Sequence, residues 1–371
     1  MQAGIAAIGL TFKAEPGIDV IYLDSVRGDV AIPDMSRYAR VGQFTDGPRP
    51  QLVAAHILGD IGTGYEYSTL PSEVMTDAPV ARYPYAFWDA GSHWEFVFAH
   101  SAPAPGSQDF NFLSVYSDQA VRSSATCRTP PYTFTLSGGV IEIHHTDGPN
   151  KTMIFPALPL GEEAITYLTE PVLRGNGTNN STGTCGPGCS VVYVVEPETD
   201  TAVEGSSSVN PASTFFYYQC NVTVRPVQEQ AGHFNLSPTN AAVAAQAIAG
   251  SGQRAPLAAN SSALSLNYFT AYTLGLEFGQ PQSNNATAMA RMLSRFAIGV
   301  VAAAAHTNPK ILIEGNPPRQ GVRLTLDKPV PFAAILCATA GVQLVLLAAA
   351  LLLVPSADTG KRGHEPDVVI R

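Results

Sequence analysis

Short stretches of apolar residues, several alternating with polar ones and broken by turn clusters, run up to about Val224 and read as β-strands. The predicted strands are Val20–Leu23, Gln51–Ile57, Trp94–His100, Tyr132–Leu136, Val140–His144, Val191–Glu196 and Thr214–Val224. Gly175–Ser190 and Glu204–Ser213 read as Gly- and Ser-rich loops between them, the second as a hairpin tip. From Pro238 the period becomes helical. Thr239–Ala249 follows a cap and stops at Gly250-Ser251-Gly252. Thr287–His306 sets Met289, Met292, Phe296, Val300 and Ala303 at helical spacing, with Arg291 and Arg295 on another face. Its uncharged run after Arg295 is about ten residues, too short for a bilayer, so it is expected to pack on the domain. Lys310–Glu314 and Gly321–Leu326 read as two closing strands separated by the turn Gly315–Gln320. Strands, then helices, then strands predict an α+β fold over residues 13–327, β-rich with a late helical section.

One segment breaks this rhythm. Val330–Val354 holds 25 residues without a charged side chain, bracketed by Asp327-Lys328 and Lys361-Arg362. A helix of that length reaches about 37 Å, enough for a hydrocarbon core of about 30 Å with some tilt. A buried core helix rarely stays apolar on every face for so long, so a single C-terminal transmembrane helix is expected, followed by a cytoplasmic tail over residues 355–371. The tail ends polar, which speaks against a lipid-anchor signal, whose apolar stretch is terminal.

Flanking charge does not orient the helix: Arg319, Arg323 and Lys328 precede it, and Lys361, Arg362 and Arg371 follow. Glycosylation sequons do. Asn-x-Ser/Thr occurs at Asn150, Asn176, Asn179, Asn180, Asn221, Asn235, Asn260 and Asn285, all before the apolar segment. With Ser and Thr at about one position in seven, chance would give roughly two such sites. The excess places residues 13–327 in the lumen or outside the cell, on the secretory route or at the plasma membrane. Against this, the N-terminus (MQAGIAAIGLTFKAEPG) lacks the basic start of a signal peptide, and Ala3–Phe12 is too short to span. Either residues 1–12 are the remnant of a membrane or signal segment, or the chain is tail-anchored and faces the cytosol. The sequons favour the first.

Composition agrees with an outer domain. Charged residues are only 14%, and a net charge of −9 without clustered Lys/Arg excludes nucleic acid as a partner. Four of the five cysteines, Cys127, Cys185, Cys189 and Cys220, precede the span, and Cys337 lies inside it. An even count in an oxidising compartment predicts two disulfides. If the strands around Val191–Glu196 and Thr214–Cys220 form a hairpin about residues 204–205, Cys189 faces Cys220, leaving Cys127 for Cys185. Cys-x3-Cys without a nearby histidine speaks against zinc.

Candidate chemistry is sparse. His144 and His145, near Asp147, sit on adjacent strand positions and point to opposite faces, so they do not share a metal. Trp88, Asp89, His93, Trp94 and Glu95 gather both tryptophans with ionisable groups. A sugar platform or a carboxylate pair is conceivable there, although a core strand beside a polar turn explains the pattern more simply. Asp358-Thr359-Gly360 matches an aspartic-protease triplet but lies in a tail too short to fold one. No nucleophile, metalloprotease, phosphate-loop or dinucleotide motif occurs. Catalytic, cofactor and metal-ligating residues are therefore assigned to none.

Cys185-Gly-Pro-Gly-Cys189 with Val191–Glu196 and Phe215–Val224, together with Arg295–His306, Asn308-Pro-Lys310 and Gly321–Leu326, resembles a group of glycosylated integral membrane proteins of filamentous fungi of unknown function. The resemblance covers about the last half of the chain. That group usually carries membrane helices before the outer domain, and this chain departs from it there. The resemblance implies topology and no activity. The expected function is a non-enzymatic surface protein that binds a cell-wall or extracellular ligand or a neighbouring membrane protein, with the lipid bilayer and N-linked glycans as its partners. The alternatives are a membrane-tethered hydrolase acting on carbohydrate through two distant carboxylates, Asp89 and Glu95 first among them, and the tail-anchored protein.

Overall fold

The computed structural model describes residues 12–18, 27–38, 48–67, 85–102, 114–137, 140–146, 152–156, 164–169, 185–198, 215–226, 236–250, 253–254, 267–272, 277–317 and 320–353. The predicted strand Val20–Leu23, both loops save Cys185–Ser190, residues 1–11 and the tail from 354 lie outside these. In chain order the elements are β1 (Phe12–Ile18), β2 (Gly28–Pro33), α1 (Pro48–Gly62), β3 (Glu66–Tyr67), β4 (Phe87–Asp89), β5 (Trp94–Ser101), β6 (Ser114–Arg128), β7 (Tyr132–Ser137), β8 (Val140–His145) and β9 (Thr152–Pro156). There follow β10 (Ala164–Thr169), β11 (Cys189–Pro197), β12 (Phe215–Pro226), α2 (Pro238–Gln246), β13 (Gln253–Arg254), β14 (Asn267–Tyr272), α3 (Ala286–Thr307), β15 (Lys310–Gly315), β16 (Gln320–Leu326) and α4 (Pro329–Leu353). The fold is α+β and rich in strand, as the pattern predicts.

The chain divides into two compact units. The smaller holds β1, β16 and α4. β1 and β16 form an antiparallel two-stranded sheet from Phe12↔Leu326 to Ile18↔Gln320. Gly321–Leu326 is thus a strand, as expected, but its partner is β1. Lys310–Gly315 pairs with β2 instead.

The larger unit, Tyr22–Arg319, is built on an 11-stranded sheet in the order β13-β14-β10-β11-β12-β6-β5-β2-β15, with β4 also paired to β5 and β3 to β4. A three-stranded sheet, β7-β8-β9, packs on one face, and α1, α2 and α3 cover the other. Strand periodicity explains how two cores share one sheet. In β11, Val192 and Val194 enter the helix-side core, while Val191, Tyr193 and Val195 meet Ile141, Ile143, Met153 and Phe155 of the small sheet. β12 alternates likewise, with Tyr218, Cys220 and Val222 on the helix side and Phe215 and Tyr217 on the other. Strands buried on both faces need continuous apolar runs, which is why these segments read so plainly as strands.

Gln51–Ile57, expected as a strand, is part of α1. Leu52, Ala55, Leu58, Gly59 and Gly62 form its buried face, a spacing of three and four that emerges only when the window extends past Ile57. Pro48 at the first helical position, where its missing N–H costs nothing, starts the helix. The glycines let α1 lie against α3: a methyl on Gly59 would strike the Phe296 ring, and one on Gly62 the Gly299 carbonyl. Helix α3 is the central core helix: although long and apolar enough to cross a membrane, its most apolar stretch is 78% buried, so it packs on the domain as its short uncharged run predicts. Two asparagines staple the turn after β2: Asn240 Nδ2 donates to the carbonyls of Met35 (3.0 Å) and Ser36 (2.7 Å), and Asn308 Nδ2 to those of Asp34 (2.6 Å) and Arg37 (2.8 Å).

Candidate functional site

Helix α4 is the feature with the plainest physical consequence. It matches the predicted span, Pro329–Leu352 being long and apolar enough to cross a membrane, and none of that stretch is buried. Leu344, Leu347, Leu351 and Leu352 are all exposed, an arrangement that water penalises and lipid does not. Thr339 Oγ1 donates to the Ile335 carbonyl at 2.7 Å, so its hydroxyl is satisfied within the helix.

All four cysteines of the larger unit are in disulfides, but the pairing differs from expectation: Cys127 joins Cys220, and Cys185 joins Cys189. β11 and β12 are antiparallel, as expected, yet their register sets Val192 opposite Cys220 and Thr223 opposite Cys189. On its other side β12 pairs with β6, which is absent from the predicted strands, and there Cys220 faces Cys127 with Cα atoms 4.0 Å apart. Cys185 then closes on Cys189 across the turn Gly186-Pro187-Gly188, whose glycines take φ of +110° and +66°.

Two sequons fall among the described residues. Asn221 is exposed on β12. Asn285 is exposed at the N-cap of α3, its Oδ1 accepting from the N–H groups of Thr287 (3.1 Å) and Ala288 (3.0 Å). A glycan attaches through Nδ2, so cap and sugar do not compete for one atom. Asn150, Asn176, Asn179, Asn180, Asn235 and Asn260 lie outside the described residues, as does Asp358.

The Asp89–Glu95 stretch does not form the imagined site. Trp88 and Trp94 are only 1% and 3% exposed, so neither ring offers a face to a sugar. The β4–β5 register sets Asp89 opposite Trp94 and Glu95 opposite Trp88, which sends the two carboxylates to opposite faces of the sheet. Asp89 pairs with Arg291, whose guanidinium lies 5.3 Å from the centre of the Trp94 ring. Glu95 Oε2 is 3.2 Å from both Arg122 Nε and His93 Nε2. Each carboxylate is an ion-pair partner, and the two are not an acid/base pair. His144 and His145 diverge as predicted: His144 Nδ1 is 3.1 Å from the Thr152 hydroxyl, His145 Nε2 2.8 Å from that of Tyr217. Among the described residues no group of three or more His, Cys, Asp or Glu side chains is placed to hold a metal.

No protein-family model, no curated protein and no solved structure matches this chain.

Two clusters went unnoticed in the sequence. Glu196 is a fully buried carboxylate at the end of β11. It accepts from the Tyr218 hydroxyl (2.5 Å) and from the N–H groups of Gln282 (2.6 Å) and Asn284 (3.0 Å). It fixes a turn in which Ser283 and Asn284 take φ of +51° and +62°, just before the α3 cap. The available signal was one acid closing an unbroken apolar run. The second cluster joins Tyr65, Tyr85 and His306, with ring centroids 4.2–5.5 Å apart. Beside it, Lys310 Nζ donates to the Ala305 carbonyl at the C-terminal end of α3 (2.8 Å), and burial lowers the Lys310 pKa to about 8. Both clusters are built from residues distant in sequence, which local pattern does not register.

Proposed function

We propose that the protein is a membrane glycoprotein anchored by α4, whose larger unit lies outside the cytoplasm and serves as a non-enzymatic binding or structural domain at the cell surface. The observation that carries this reading is α4, an apolar helix of bilayer-spanning length with none of its described residues buried. The two disulfides suit an oxidising compartment. The sequon excess on one side of α4, with Asn221 and Asn285 exposed, suits the same side. The ion-paired carboxylates at Asp89 and Glu95 favour a domain that presents surface over one that performs hydrolysis. The fungal membrane proteins that the sequence resembles also carry a glycosylated outer domain next to a membrane helix, though that group usually has further helices before it.

The test is glycosidase sensitivity combined with protease protection, on microsomes containing the chain with a C-terminal tag. A mobility shift on deglycosylation, with only the tag digested in sealed vesicles, supports the reading. No shift, with the larger unit digested, would instead place that unit in the cytosol. At Asn285 the substitution Asn285→Asp keeps the oxygen that caps α3 and removes the sequon, so it is expected to lose one glycan without loss of stability. Asn285→Ala also loses the cap and is expected to cost about 1 kcal/mol in thermal or urea unfolding.

A further inference from the structure

The two ends of the large sheet differ. At one end β13 is only two residues long, Gln253–Arg254, a short and charged edge of the kind that resists further pairing. At the other end β15 pairs with β2 without interruption from Lys310↔Pro33 to Gly315↔Gly28, and no described strand lies beyond it. β15 reads Lys-Ile-Leu-Ile-Glu-Gly. It has neither proline nor bulge to blunt it. Ile311 is 38% exposed and Leu312 59%, while Ile313 packs against the helix-side core. An edge of this kind presents a row of unpaired N–H and C=O groups beside apolar side chains.

We propose that β15 pairs antiparallel with β15 of a second copy of this chain, about a two-fold axis at Leu312, joining two large sheets into one. The sequence of the strand selects this occupant. In that register Lys310 faces Glu314 of the second copy, and Glu314 faces its Lys310, giving two opposite-charge pairs at symmetric positions. Ile311 faces Ile313 twice, and Leu312 faces itself. Sliding by two residues sets a charge against Leu312 and loses both ion pairs, and sliding by one turns core-facing side chains to the wrong face.

The present contacts of these two residues leave room for the exchange. Glu314 lies 3.6 Å from Arg27 in a pair whose side chains are both highly exposed, so little is lost on giving it up. Among the described residues Lys310 Nζ donates to the Ala305 carbonyl, and an ammonium has three donors. One strand pair supplies a modest free energy, so a stable dimer rests on the membrane anchor proposed above, which confines the copies to a plane and raises their effective concentration.

The test uses the full chain in membrane vesicles, with Cys337→Ala to remove the free thiol. Leu312→Cys is exposed to a mild oxidant beside Thr133→Cys, an exposed position on the small sheet, as the collision control. The expected result is a reducible dimer well above the control, with the link located by peptide mass spectrometry between the two substituted positions. Adding Lys310→Glu sets like charges opposite each other twice and is expected to lower the yield about tenfold. Adding Glu314→Lys to that variant restores the opposite pairs and the yield, which separates a lost contact from a lost fold. A yield at the control level, or one indifferent to both charge changes, overturns the pairing. Alkaline carbonate extraction of the same vesicles reads the anchor separately. Release of the protein overturns the membrane reading, whereas retention without a dimer overturns the pairing alone.

Discussion

Glu196 and His56 show how single residues carry stability here. Glu196 satisfies a phenol and two backbone N–H groups at once. Glu196→Ala strands those donors in the interior and is expected to cost about 3 kcal/mol in urea unfolding of the solubilised protein. Glu196→Gln keeps one acceptor oxygen and is expected to cost less, about 2 kcal/mol. His56 sits on α1 among Phe269, Phe278 and Phe296, with Nδ1 2.9 Å from the Ala247 carbonyl. Burial lowers its pKa, offset in part by that carbonyl. The unfolded chain therefore binds a proton more readily than the folded one, so His56 contributes stability above about pH 6.5 that is lost as pH falls through its folded pKa. His56→Gln is expected to flatten the fall in stability between neutral and mildly acidic pH, measured by denaturant unfolding at each pH. A slope unchanged by the substitution would assign the acid sensitivity to other groups, His306 first, since burial lowers its pKa as well.

At the scale of elements, the contact between α1 and α3 decides how the helix layer sits on the sheet. Gly62 lies against the Gly299 backbone, with no flexible side chain in between to give way. Alanine improves helix propensity by about 1 kcal/mol, while overpacking against a backbone costs about 1–3 kcal/mol. Gly62→Ala is thus expected to be net destabilising, by about 1 kcal/mol, in thermal unfolding. Gly64, just past the end of α1, meets nothing within 4 Å, so Gly64→Ala is the control expected to leave stability nearly unchanged. The same contact explains why α1 escaped a strand-based reading. Apart from Leu52 and Leu58 its buried face is made of alanine and glycine, so its helical period carries a weak hydrophobic signal, whereas in α3 methionine, phenylalanine and valine make that period plain.

For the molecule as a whole, the two disulfides have unequal weight. Cys127–Cys220 ties residues 93 apart across the centre of the large sheet, and Cys185–Cys189 closes a turn of separation 4. Loop-closure entropy assigns about 4.7 kcal/mol to the first and about 2 kcal/mol to the second. Replacing Cys127 and Cys220 together by serine is expected to lower the unfolding midpoint far more than the same change at Cys185 and Cys189. Equal losses would mean that the turn at Gly186–Gly188 matters through its contact with β12 rather than through chain entropy.

Residues 1–11, the loops bearing most of the sequons and the tail lie outside the described structure, so what the sequence says of them stands by itself. Elsewhere the division follows the range of the forces. The span, both late helices, the doubly buried strands β11 and β12 and the divergence of His144 from His145 were legible, because each depends on periodicity or length within one segment; β10, buried on both faces as well, was not. The disulfide partners, the β1–β16 pair, the separation of Asp89 from Glu95 and the Glu196 turn were not. Each depends on which strands lie side by side and in what register, and that is decided by packing β12 between β11 and β6, beyond the reach of any local pattern.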